Sequence, residues 1–180
     1  MALIKMLAFV LLLGILQAPR TADISPLPDR DLKTSTISLS RKGCFGACPI
    51  YTVTIHGDGR VQYSGKKYVK VAGEQQGFMP PETIRTLFDE FETAKFFSIA
   101  DQYSQAHCAC KRRCTDMPAA VLELSLKGNT HRINHYYGCG CAPRILFDLE
   151  RTVDKAANIE KWTGDTSQTG PLGTTCMETP

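Results

Sequence analysis

Eight cysteines constrain this 180-residue chain more than any other feature. Three clusters hold seven of them: Cys44/Cys48, Cys108/Cys110/Cys114 and Cys139/Cys141. Cys176 stands apart near the C-terminus. What they mean depends on compartment, because disulfides persist where the environment is oxidising and are rare in the cytosol. The N-terminus speaks to that. Met1–Lys5 carries one positive charge, Met6–Leu16 is apolar throughout, and Ala18 and Ala22 offer small residues for cleavage. This is the pattern of a secretory signal peptide, assigned to residues 1–22. The apolar run is shorter than the ~20 residues a bilayer span requires. The expectation is a secreted or periplasmic protein with no membrane span after signal cleavage.

Charge excludes one class of partner. Lys and Arg total 21 against 18 Asp and Glu, and cleavage would remove Lys5 and Arg20, leaving a chain close to neutral. Nucleic-acid binding rests on an excess of basic groups that this chain lacks. Lys111-Arg112-Arg113 is too short a cluster to change that. An envelope or extracellular protein is the expected kind of partner.

Residues 23–34 carry Pro and charge without period and read as a flexible lead-in. Alternation then takes over. Ile37 and Leu39, then Tyr51, Val53 and Ile55, then Val61 and Tyr63, then Val69 and Val71 mark four strands. Gly57-Asp58-Gly59 supplies a hairpin turn. Met79-Pro80-Pro81 switches the period. Ile84, Leu87, Phe88, Phe91 and Ala94 form one apolar helical stripe, with Phe96 and Phe97 expected in the core. Residues 98–118 are irregular. Leu122, Leu124 and Leu126 mark a strand, Lys127-Gly128-Asn129 turns, and His131–Tyr137 returns. A second helix from Pro143 carries Leu146, Leu149, Val153 and Ala156, with Asn158 as its cap. Trp162 should fold back on the core, and residues 163–180 read as a disordered tail. The order predicts one α+β domain over 35–162. Its antiparallel sheet has about six strands (a four-strand meander, then a hairpin after the first helix), and both helices pack on one face.

The string Cys44-Phe45-Gly46-Ala47-Cys48-Pro49-Ile50-Tyr51, together with Ile37-Ser38-Leu39 and the Gly57-Asp58-Gly59 turn, resembles the opening of a bacterial domain-of-unknown-function family of small secreted or envelope proteins. His135-Tyr136-Tyr137-Gly138-Cys139 ahead of the last helix and the closing Glu160-Lys161-Trp162 are similar to it as well. The likeness covers roughly residues 35–162. It implies an extracytoplasmic α+β domain and carries no established activity.

No catalytic residues are identified: P-loop, dinucleotide-binding and nucleophile-elbow motifs are all missing from the sequence. The cysteines support three readings, in this order. The first is structural bridging. Cys44–Cys48 would close a small ring. Cys114 would join Cys139 or Cys141, because Cys114 precedes one strand and Cys139 follows its antiparallel partner. Cys108 and Cys110 are further disulfide candidates, and eight cysteines allow 105 connectivities. The second is a zinc or copper site built from Cys108, Cys110, Cys114, Cys139, Cys141, His107 and His135, soft ligands suited to those metals. It is not favoured, and no cofactor is expected. The third is thiol–disulfide chemistry. Cys44-x3-Cys48-Pro49 has the spacing of extracytoplasmic copper chaperones of the thioredoxin class, but a strand, not a helix, follows it. Cys139-Gly140-Cys141, just before a helix, is the better redox candidate. The resulting expectation is an exported, disulfide-stabilised structural or interaction domain.

Overall fold

The computed structural model describes residues 32–104, 106–108, 112–165 and 176–178; the expected signal peptide lies outside them. Alternation becomes a sheet as the sequence predicts. β1 (Thr36–Arg41) buries Ile37 and Leu39 on one face and leaves Ser38 and Ser40 on the other. β2 (Ile50–His56) buries Tyr51, Val53 and Ile55. β3 (Arg60–Lys67) buries Val61 and Tyr63. The β2–β3 turn needs Gly57 because the chain ahead of β1 passes against it. An added Cβ would stand 1.6 Å from the Leu32 carbonyl oxygen. Leu32 is itself buried, and its carbonyl accepts a bond from Ser35 N. The last residues of the lead-in are thus anchored, not flexible.

The fourth strand differs from expectation. β4 is Gly73–Phe78, not the Val69/Val71 segment. Tyr68 takes a left-handed φ of 54°, which ends β3, and the stretch that follows docks elsewhere. Lys70 N and Val71 N bond to the carbonyls of Thr163 and Trp162. A helix, α1 (Pro81–Thr93), follows and buries Ile84, Leu87, Phe88 and Phe91 along the predicted stripe. Phe96, in a short 3-10 turn (Phe96–Ser98), is buried, whereas Phe97 is exposed.

The region read as irregular contains two short strands, β5 (Gln102–Tyr103) and β6 (Arg112–Cys114). The hairpin β7 (Ala119–Leu126) and β8 (Asn129–Tyr136) turns through Lys127 and Gly128, both at positive φ, which suits a tight two-residue connection. α2 (Arg144–Ala156) ends where Asn158 adopts a left-handed φ. A short helix, α3 (Glu160–Thr163), brings Trp162 back to stack on Tyr63 at 4.9 Å. β9 (Cys176–Glu178) pairs with β6, so this part of the expected disordered tail is a strand.

Seven strands form the main sheet in the order β4-β3-β2-β1-β7-β8-β5, one more than the sequence suggested. All neighbours are antiparallel except β5, which runs parallel to β8 over two residues. The extra strand, β5, is too short to leave a period. The apolar faces of the strands and both long helices close on one core cluster, which joins Val53, Leu122 and Ile133 of the sheet with Phe88, Leu146 and Val153 of the helices.

Candidate functional site

At one end of the sheet the buried side of four adjacent strands turns from apolar to polar. Residues of one face recur every second position. In β1 the series Ile37, Leu39 is continued by Arg41, and in β8 Ile133 is followed by His135, with Tyr137 just past the strand's end. Register lines them up: Arg41 pairs with Tyr51 on one side and Ala120 on the other, and Ala120 pairs with His135. The small Ala120 leaves room between two long polar side chains. Across this row lies α2, whose buried positions are Leu146, Leu149, Glu150 and Val153. Glu150 therefore sits inside an apolar stripe, and Asp154 follows one turn later.

These residues bond to one another. Glu150 Oε1 accepts from His135 Nδ1 at 2.7 Å. Glu150 Oε2 accepts from Arg41 Nη1 at 2.8 Å and from the Tyr137 hydroxyl. Arg41 Nη2 donates to Asp154 Oδ2 at 2.6 Å, and the Tyr51 hydroxyl to Asp154 Oδ1 at 2.7 Å. Arg41 Nη1 also donates to Tyr137. Glu150 and His135 are completely buried. Burial lowers the Arg41 pKa, but the Asp154 and Glu150 carboxylates outweigh it and hold the guanidinium above its ordinary value. The Tyr51 phenol is pushed well above its usual range, first by burial and then by Asp154. The proton between His135 and Glu150 belongs on Nδ1, since a carboxylate only accepts. His135 Nε2 is buried with no hydrogen-bond partner among the described residues. It is hemmed by the rings of Phe147, at 4.3 Å, and Tyr137, at 4.7 Å.

Beside this network opens a cleft of about 760 Å³. Arg41, Tyr51, Tyr137 and Asp154 reach its surface. Cys48-Pro49 forms one wall and Met117-Pro118 another, with Ile159 between α2 and α3. Its rim carries Lys42, Arg151 and Lys155 against Glu160 and Asp165, a mixed set with no dominant sign.

The cysteines partly follow expectation. Cys44–Cys48 is bonded within the β1–β2 connection. The favoured Cys114–Cys139 bond is not formed; Cys108 bonds Cys139 instead. The reason is register. Arg113 stands opposite Cys139, and Cys114 N bonds the Gly138 carbonyl, so Cys114 is one residue out of step with Cys139. A one-residue offset turns side chains to opposite faces. Cys114 is nonetheless disulfide-bonded, and it faces Cys176 in the β6–β9 register. In chain-entropy terms Cys44–Cys48 contributes about 2 kcal/mol and Cys108–Cys139 about 3.7 kcal/mol, for rings closed by sequence separations of 4 and 31.

Of the seven residues named for the alternative metal site, the structure brings together only Cys108, Cys139 and Cys141 among the described residues, their sulfurs within 4.8 Å of one another. His107 is exposed and bonds Ser104. His135 is turned to Glu150, and Cys110 lies outside the described residues. Arg41, Glu150 and Asp154 escaped the sequence reading. Their signal was a charge on each apolar period: Arg41 after Ile37 and Leu39, and Glu150 between Leu149 and Val153.

No curated protein matches the chain. Residues 35–157 match a domain of unknown function, DUF6438, across well over half the sequence and across every residue of the buried network. The chain therefore belongs to the DUF6438 family.

Proposed function

We propose that this protein is an exported, disulfide-stabilised interaction domain that seats an envelope or extracellular protein in the cleft beside the Arg41 network. One observation carries the reading: the polar groups at the cleft are engaged with each other. Arg41 is taken up by Glu150, Asp154 and Tyr137, and Tyr51 by Asp154. Catalysis needs a nucleophile or a base aimed at a substrate. Groups tied to one another in this way instead give a rigid, shaped surface, which is what binding needs. The bridge at Cys44–Cys48 stiffens one wall in the same sense, and the leader at residues 1–22 supports the oxidising compartment in which such a bridge persists.

Two measurements test it. Mass spectrometry of protein recovered outside the cytoplasm should find an N-terminus at or close to residue 23. An intact Met1 on protein confined to the cytosol would refute export. A photo-crosslinking residue placed at Lys42 or Lys155 should give a discrete protein adduct in that compartment, and one placed at Gln76 on the far edge of the sheet should not. Equal labelling from all three positions, or none, would refute the cleft.

A zinc or copper site is the second reading, favoured only by the Cys108, Cys139 and Cys141 cluster. Metal binding requires thiolates, and Cys108 and Cys139 are joined in a disulfide. Stoichiometric zinc or copper in protein purified without chelator, with Cys108 and Cys139 unbridged, would place this reading first.

A further inference from the structure

We propose that the Cys44–Cys48 bridge is a thiol-exchange site, addressed by dithiols, whose opening releases one wall of the cleft. Three observations converge on it. The first is access. Cys44 is only partly buried, whereas Cys108 is 9% exposed and Cys139 1%; Cys48 is 5% exposed, and the disulfide-bonded Cys114 is partly buried like Cys44. Thiol–disulfide exchange requires a thiolate to reach a sulfur, so accessible bridges are the labile ones. The second is what holds the ring. Its tip, Phe45, is 67% exposed and adds nothing to the core. Phe45 N bonds the Asp116 carbonyl at 3.2 Å, and Gly46 N bonds the Cys44 carbonyl within the ring. At its tip the ring is held by the covalent bond and these two hydrogen bonds, not by core packing. The third is position. Cys48 and Pro49 form a wall of the cleft, while the β1–β2 pairing runs up to Arg41 and Tyr51 through backbone bonds that do not involve the bridge. Opening the ring loosens the wall and leaves the sheet standing.

The exchange balances without any further reagent than the dithiol. One thiolate of the dithiol attacks Cys44 Sγ. The Cys44–Cys48 bond breaks, and its electron pair leaves on Cys48 Sγ, which takes up a proton. The second thiol of the dithiol, as thiolate, then attacks its partner sulfur in the mixed disulfide. Cys44 departs as a thiolate and is protonated. The dithiol is oxidised to a disulfide by two electrons, and the protein bridge is reduced to two thiols. The consequence for a bound partner rests on the cleft reading above; the exchange itself does not.

Limited reduction of the folded, oxidised mature chain with dithiothreitol, followed by alkylation and peptide mapping, tests the proposal. Cys44 and Cys48 should become alkylated roughly tenfold faster than Cys108 and Cys139. Far-UV circular dichroism should stay unchanged, and amide exchange should rise over residues 42–49 but not in β7 or β8. Opening of Cys108–Cys139 or of the Cys114 disulfide together with or before Cys44–Cys48, or loss of the dichroism signal with the first bridge, would overturn it. In parallel, Cys48→Ser treated with oxidised glutathione should form an adduct at Cys44. Absence of that adduct would overturn the proposal. Cleft crosslinks that persist while both bridges open together would remove this inference and leave the cleft reading intact.

Discussion

Glu150→Gln is the sharpest probe of the buried network, because it changes charge and proton inventory but not shape. The wild-type carboxylate only accepts: from His135 on one oxygen, from Arg41 and Tyr137 on the other. The amide must place an NH2 on one of those sides. Facing Arg41 and Tyr137, it would oppose donors with a donor. Facing His135, it would force the imidazole to accept at Nδ1 and carry its proton on Nε2. That atom is buried without a partner among the described residues, so an orphan N–H would appear. An unsatisfied buried donor costs ~1–3 kcal/mol. Removing one member of a buried ion pair costs ~3–5 kcal/mol. The substitution should therefore destabilise by about 3–4 kcal/mol, a large share of the 5–15 kcal/mol typical of a domain. The assay is urea unfolding of the oxidised protein. Trp162, the sole tryptophan, is buried against Tyr63 and reports tertiary structure by fluorescence, with far-UV dichroism alongside. With a urea slope of ~2 kcal/mol/M the midpoint should fall by about 1.5–2 M. A loss below about 1 kcal/mol would refute the network as described. So would a Arg41→Met/Glu150→Leu double variant whose loss equals the sum of its singles, since contacting residues must couple.

Three further outcomes follow from the geometry. The Tyr51 phenol is held above its ordinary 10.0, so the unfolded chain ionises first. That stabilisation is complete below about pH 10 and is lost at about 1.4 kcal/mol per pH unit as the solution becomes more alkaline; urea midpoints of Tyr51→Phe should show a shallower alkaline decline than those of wild type. Replacing Cys108 and Cys139 together by Ser should lower stability more than replacing Cys44 and Cys48, by roughly 1–2 kcal/mol on ring size alone, read from the same unfolding curves. Gly57→Ala should destabilise by roughly 2–3 kcal/mol, because its Cβ would overlap the Leu32 carbonyl and force the chain ahead of β1 off the sheet; an unchanged melting midpoint would contradict that close approach.

The elements that alternate or repeat cleanly were legible in the sequence: β1 to β3, α1, the β7–β8 hairpin and α2. Each carries enough apolar residues of one period to bury a face. β4 was not, because Gly73, Gln75, Gln76 and Gly77 have no apolar period, and the valines at 69 and 71 offered a false one. Pairing β1 with β7 rather than leaving it at an edge is a long-range choice that no local pattern encodes. The site divided in the same way. Cys44–Cys48 could be read from spacing, since the ring is local. Cys108–Cys139 could not, because it turns on a one-residue register between β6 and the end of β8. Glu150 was hidden for a different reason: an acidic residue on a helix reads as solvent-facing unless its exact angle to Leu146 and Val153 is counted.

The strand order also sets a sequence of events in time. β1 lies in the middle of the sheet, yet its partner β7 is roughly eighty residues further along the chain. The β1–β4 meander can form by successive hairpins, but it leaves one edge of β1 open and one face of apolar residues uncovered until Leu126 has arrived. Folds dominated by such distant pairings close slowly. For a chain delivered segment by segment, the early half must wait as an incomplete sheet, and β1, not either final edge, is the strand most exposed to mispairing during that wait. The Cys44–Cys48 ring lies wholly within that early half and joins the two ends of the β1–β2 link without needing any residue of the later half.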